Sequence, residues 1–221
     1  MSDFPRSPQV QKGAIVGLDP FNPLASIIVF QYNPDTLTRT IRPRQGSGAG
    51  GQRQAAGDVL RLQGPPTETI SLDIELDATD QLEDGTGTAA SMGVYPALSA
   101  LEMLLYPKSI QVIANGVLAA VGLIEVLPTE APLTLLIWGI QRVVPVKIDS
   151  LTITEQFFDP SLNPIRAKAS VSMTVLSYHD FGLLSVGGGI FMAHQIIKEV
   201  MATVNGVNNV VAGVSGSFEV G

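Results

Sequence analysis

From residue 165 to residue 175 the chain alternates with period two. Ile165, Ala167, Ala169, Val171, Met173 and Val175 are apolar, and Arg166, Lys168, Ser170, Ser172 and Thr174 between them are polar or charged. A helix would scatter those side chains around its axis, so the pattern predicts a half-buried strand with one face on a core. Before it, Asp159, Pro160, Asn163 and Pro164 supply two fixed φ angles and two side chains that bond their own backbone, which predicts a turn. The preceding arm alternates too, but Val144, Val146 and Ile148 are even-numbered while Leu151 and Ile153 are odd. The facing must flip near Asp149 and Ser150, and a β-bulge is the simplest cause. Residues 142–181 thus read as one long β-hairpin.

The rest of the chain repeats this grammar. Residues 13–18 form a short strand, followed by a turn at 19–23. Residues 25–32 form a strand that Asn33, Pro34 and Asp35 turn into residues 37–41, read as a second hairpin. In residues 68–76, Ile70, Leu72, Ile74 and Leu76 face inward and Thr69, Ser71, Asp73 and Glu75 outward. Residues 133–138 are a buried strand ending at Trp138, a core or interface anchor. The clearest helix spans 96–105, with Pro96 at its first position and Ala97, Leu98, Leu101, Leu104 and Leu105 on one stripe. Residues 109–132 fit two strands or a helix. Loops are expected at 44–66 and 78–93; the Gly- and Gln-rich residues 44–57 have almost nothing to bury and should be loosely held.

After Phe181 the character changes. Residues 190–202 read as a helix apolar over more than half its circumference, followed by Asn205-Gly206 and a tail of small residues. The expected organisation is a β domain over residues 1–182 and an apolar helical extension over 183–221. Gly187, Gly188 and Gly189 would let the helix swing onto a neighbouring chain; the rival reading folds it back onto its own sheet. Candidate interface residues are Ile190, Phe191, Ile196, Ile197, Val200 and Trp138.

Composition removes several functions. There is no cysteine and there are only two histidines, His179 and His194, so thiolate chemistry is excluded and a histidine metal cluster is not expected. Thirteen basic against 20 acidic residues give a net charge of −7, which argues against a nucleic-acid partner or a polybasic membrane contact. Charged residues are only 15% of the chain, which suits a surface buried in an assembly. No Walker, GxGxxG, GxSxG or HExxH motif occurs, and the outward pair Asp73 and Glu75 reads as a solvated strand face rather than an acid–base pair. No cofactor, no enzymatic activity and no membrane insertion are expected. The first residues hold no secretory apolar core, which predicts assembly in the cytoplasm.

The segments FQYNPDTLTRTI, PTETISLDIELDATD, YPALSALEMLLYP and PLTLLIWG, followed by VPVKIDSLTITEQFFDPSLNPIRAKASVSMTVL, stand in an order that resembles the tube-type domain of contractile injection systems. The resemblance covers about residues 13–181. It implies a mainly β fold, an antiparallel β-sandwich or barrel of tail-tube type with a flanking helix, closing as six copies into a ring. It also implies a place at the baseplate end of the inner tube, with the inner-tube protein, the spike or hub protein and other baseplate proteins as partners, in a particle that is released or membrane-anchored. Related adaptors often carry a C-terminal LysM module; no matching stretch follows Phe181, so wall binding is not implied. Residues 109–132 and the tail favour an adaptor or tube initiator over a repeating inner-tube subunit. The alternative of another class is a carbohydrate-binding β-sandwich, for which one Trp and four Tyr offer few stacking surfaces.

Overall fold

The computed structural model describes residues 11–18, 27–44, 62, 64–79, 82, 89–120 and 132–216. The turn at 19–23, most of the 44–66 loop, much of the 78–93 loop and residues 121–131 lie outside them. Seven strands are described: β1 (Ala14–Leu18), β2 (Ile27–Val29), β3 (Leu37–Arg42), β4 (Thr67–Asp77), β5 (Leu133–Ile137), β6 (Val143–Phe158) and β7 (Pro164–Val175). The helices are α1 (Ala89–Met92), α2 (Tyr95–Glu102), α3 (Ser109–Ala120), α4 (Tyr178–Phe181) and α5 (Val186–Gly216).

All the strands join one sheet in the order β2-β1-β5-β6-β7-β4-β3, with every pairing antiparallel. The long hairpin is its centre. β6 and β7 pair from Val146↔Val175 to Phe158↔Pro164, and the register slips between Ile148 and Ser150 where the facing flips. Val144, Val146 and Ile148 are buried before the slip, and Leu151 and Ile153 pack on the core after it. At the turn, Asp159 Oδ1 accepts from the Ser161 and Asn163 amides at 2.7 and 2.8 Å, and Asp159 N–H donates to the Asn163 carbonyl.

The expected second hairpin is not formed. β2 pairs with β1, and β3 pairs with β4 at the opposite edge, so residues 30–36 are a crossover. Asn33 sets this: its Oδ1 accepts from Gly13 N–H at 2.9 Å and its amide donates to the Gln11 carbonyl at 2.8 Å, which ties the bend to the start of β1. The crossover also curls the sheet. Laid flat, outer strands at about 4.8 Å per neighbour would stand roughly 29 Å apart, a span that residues 30–36 could cover only if nearly straight, and they bend at Gln31, Tyr32 and Asp35. The Gln31 side chain holds the curl by pairing with the Asp77 backbone like a short strand, Nε2 donating to the carbonyl at 2.7 Å and Oε1 accepting from the amide at 2.9 Å. β2 and β3 do not pair with each other, so the sheet is not a closed barrel.

Inside the curl lie Ile15, Phe30, Ile70, Ile74, Leu136, Val146, Val171 and Met173. α2 lays Leu98 and Leu101 on this core, with Leu104 just beyond its end, while Leu105 is exposed. Trp138 packs on Phe30, ring centroids 6.3 Å apart. A helical turn, α1, stands inside the stretch read as loop, and the first half of the ambiguous 109–132 segment is the helix α3.

Beyond the sheet, α4 is capped by Ser177, whose amide and hydroxyl both donate to Asp180 Oδ2 at 2.8 Å. α5 then runs 31 residues, longer at both ends than expected. Gly187, Gly188 and Gly189 lie inside its first turns and are no swivel. A Cβ on Gly187 would stand 2.6 Å from the Phe181 ring, and one on Gly188 would stand 2.2 Å from the Gly182 carbonyl oxygen, so two of these glycines permit a close approach. Asn205-Gly206 does not end the helix either, which runs on through it to Gly216; one glycine costs only about 1 kcal/mol against alanine.

Candidate assembly surfaces

Strand alternation gives the sheet an outer face made of short polar side chains. Rows cross it in register: Thr38, Ser71, Ser172 and Ser150 in one, Asp73, Ser170 and Thr152 in the next. Ser170 Oγ donates to Asp73 Oδ1 at 2.6 Å, Lys168 Nζ stands 2.9 Å from Asp73 Oδ2, and Thr174 Oγ1 donates to Asp149 at 2.6 Å. The Ser170 bond and then the Lys168 ammonium hold the Asp73 carboxyl below its ordinary pKa. A shallow depression of about 270 Å³ lies over these hydroxyls. Such a face binds water through many weak, replaceable hydrogen bonds and grips no apolar group.

At the hairpin tip, Phe157, Phe158 and Leu162 are exposed, and Phe157 and Leu162 carry φ of 54° and 66°, a conformation that non-glycine residues adopt only when their surroundings impose it. The tip is braced from below, since Val94 N–H donates to the Pro164 carbonyl at 2.9 Å and the Asn163 amide to the Ser91 carbonyl at 3.2 Å.

Two helices expose apolar rows. α3 has no buried residue and presents Ile110, Val112, Ile113, Val117 and Leu118 to solvent. α5 differs along its length. Its first half packs down: Phe191 is buried with its ring edge on Tyr178, centroids 5.8 Å apart, and His194 is 5% exposed. From Val200 to Val211 it is exposed, with Val204, Val207 and Val210 between. The candidate interface residues therefore fall in different places. Phe191 is in the core, Trp138 is half-buried on it, Ile190 and Ile197 are half-buried, and Ile196 and Val200 are exposed.

An ionic cluster seats α5. Glu68, buried on the inward face of β4, pairs with Arg39 of β3 at 2.6 Å and with Lys198 of α5 at 3.2 Å. Burial pushes its carboxyl pKa up, but the Arg39 hydrogen bond and the Lys198 and Arg39 charges together outweigh that and leave it lowered from 4.5. The sequence does hold a signal for this cluster: Glu68 shares the parity of Ile70 and Leu72, and Arg39 that of Leu37, so charged side chains occupy inward positions. Nothing in the local pattern pointed to Lys198 as their partner. Among the described residues no group of three or more His, Cys, Asp or Glu could hold a metal ion, and no helix is long and apolar enough to cross a membrane.

A curled antiparallel sheet that hides its apolar face under its own helices and leaves a wall of hydroxyls outside, with apolar rows exposed on a hairpin tip and two helices, offers several surfaces suited to assembly. Residues 19–179 match the contractile injection system tube protein family, and the chain belongs to that family. It is thereby a component of a phage-tail-like particle. Comparison with curated proteins finds no match.

Proposed function

We propose that the chain forms a six-membered ring at the baseplate end of the inner tube and joins the tube to the spike or hub, as a structural piece without catalytic activity. The observation that carries this is α5. It begins at Val186, beyond the matched residues 19–179, and its apolar side chains are exposed from Val200 to Val211. A subunit that repeats along a tube meets only copies of itself above and below, whereas a joining piece must offer one end to something else. A long uncovered helix outside the tube-type domain supplies such an end. In the ring, the edges of β2 and β3 that are unpaired among the described residues are covered by neighbouring copies, and the hydroxyl face lines the channel, where weak and replaceable hydrogen bonds let cargo pass.

The inner-tube subunit is the alternative within the same particle. The carbohydrate-binding alternative has one observation in its favour, a pocket of about 450 Å³ where Tyr32 stands with Asp73, Glu75 and Lys168. Asp73 is already engaged by Ser170 and Lys168, and Tyr32 is the single aromatic of the lining, which offers a sugar ring only one stacking surface. Mass photometry of the full chain, alone and mixed with the tube and spike proteins of its particle, tests the ring: a species of six copies is expected, and monomer in every mixture contradicts it.

A further inference from the structure

We infer that the pocket between β3, the β5–β6 turn and the middle of α5 is an oxyanion site that takes a carboxylate side chain from a second copy of this chain. The inference rests on the ring reading above for its partner, but not for its chemistry. The pocket measures about 290 Å³ and is lined by Arg39, Arg142, Lys198, His194, Trp138 and Gln141, among others.

Its charges do not balance. Arg39, Arg142 and Lys198 bring three positive charges, and Glu68 brings one negative charge whose two oxygens are taken by Arg39 and Lys198. Arg142 is half-buried and has no carboxylate within ion-pair distance among the described residues. Burial first, then the neighbouring Arg39 charge, lower its pKa below the ordinary guanidinium value in spite of Glu68, so its guanidinium is held where a cation is disfavoured and an anion is wanted. The second observation is independent of charge counting: His194 is 5% exposed, and its Nδ1 is buried without any hydrogen-bond partner. Buried polar atoms rarely go unsatisfied, so the residue that lines this pocket next to Lys198 has a hydrogen-bonding capacity the described residues do not meet. Burial, followed by the Lys198 charge, keeps the imidazole below its ordinary 6.5, so it is neutral at pH 7. A carboxylate arriving in the pocket would offset the crowded positive charge and accept from the Arg142 guanidinium fork.

The source of the carboxylate follows from location and charge. The pocket borders β3, an edge of the sheet with no second strand partner among the described residues, where the ring places the neighbouring copy. The chain carries 20 acids against 13 bases, so a second copy presents a mostly acidic surface to this local excess of positive charge.

The test uses the full chain, Arg142→Gln and Arg142→Lys. Arg142→Gln should fold with an unchanged or higher unfolding temperature, because it removes an unpaired charge that repels Arg39. Inorganic phosphate, compared with chloride at equal ionic strength, should raise the unfolding temperature of the wild type by a few degrees and that of Arg142→Gln by none, with Arg142→Lys partly restored. Ring assembly should need at least tenfold more Arg142→Gln than wild type. An equal phosphate effect on wild type and Arg142→Gln overturns the anion site. A phosphate effect confined to the wild type, with ring assembly unchanged in Arg142→Gln, overturns the second copy as the source and leaves a small anion in its place. A wild type that never forms rings contradicts the ring instead, and the phosphate comparison still decides the site.

Discussion

At the scale of single residues, the two faces of β7 carry opposite demands. Val171 is 2% exposed between Leu72 and Leu151 in its cross-strand row, while Ser172 lies on the hydroxyl face between Ser71 and Ser150. Val171→Asp should cost about 3 kcal/mol or more, since it buries an unpaired charge; Ser172→Asp should leave the thermal transition within a few degrees of wild type. Equal losses in both would mean that the outer face is buried in the monomer. Glu68 sets an acid sensitivity. Its folded pKa lies below 4.5, so its contribution is present above that value and is lost as pH falls through the folded pKa. Asp77 and Asp180 are depressed too, held against burial by Thr79 and Arg166 and by Ser177 and Arg44. The unfolding temperature should therefore drop below about pH 4.5, and Glu68→Gln should flatten part of that drop, not all of it. An acid limb identical in Glu68→Gln would show that the Arg39 and Lys198 pairs contribute nothing. The parity of residues 67–77 made the buried apolar set fully legible in the sequence. It also placed Glu68 inward, but a single carboxylate in phase with isoleucines carries no label for its partner 130 residues away.

At the scale of elements, α5 has a seat and a free end, and cutting the chain distinguishes them. A chain ending at Glu199 keeps Phe191, His194 and Lys198 on the sheet and should unfold within about 1 kcal/mol of the full chain, while losing its docking to the tube or spike. A chain ending at Gly182 uncovers Tyr178 and strips Lys198 from buried Glu68, and should lose about 3 kcal/mol or more. Chemical denaturation of both chains measures this, and equal stability would mean that α5 has no seat. Gly188→Ala should likewise break the start of α5, whereas Gly189→Ala, with open space around its Cβ, should be neutral or add up to about 1 kcal/mol. The hairpin with its bulge and turn was readable because its signals are local. The partner of β2 was not: Asn33-Pro34-Asp35 has turn chemistry whether the chain doubles back or crosses to the far edge, and only the long-range bonds of Asn33 to residues 11 and 13 select the crossover. The three glycines misled in a similar way, because composition alone does not separate a glycine that must bend from one that must sit close.

At the scale of the whole molecule, a curled sheet whose outermost strands have no second partner among the described residues, a hydroxyl wall, an exposed α3 and the exposed stretch of α5 from Val200 account for a chain of low charge as a part of something larger. Family membership fixes the kind of particle, and the junction proposed here rests on α5. The measurement that addresses this most directly is cryo-electron microscopy of intact particles assembled with the full chain and with the chain ending at Glu199. The account predicts one six-fold ring of this protein at the baseplate end of the tube, between tube and spike, with density for α5 reaching toward the non-tube partner and with the junction lost in the shortened chain. Copies of this protein stacked along the length of the tube, unaffected by the shortening, would contradict it.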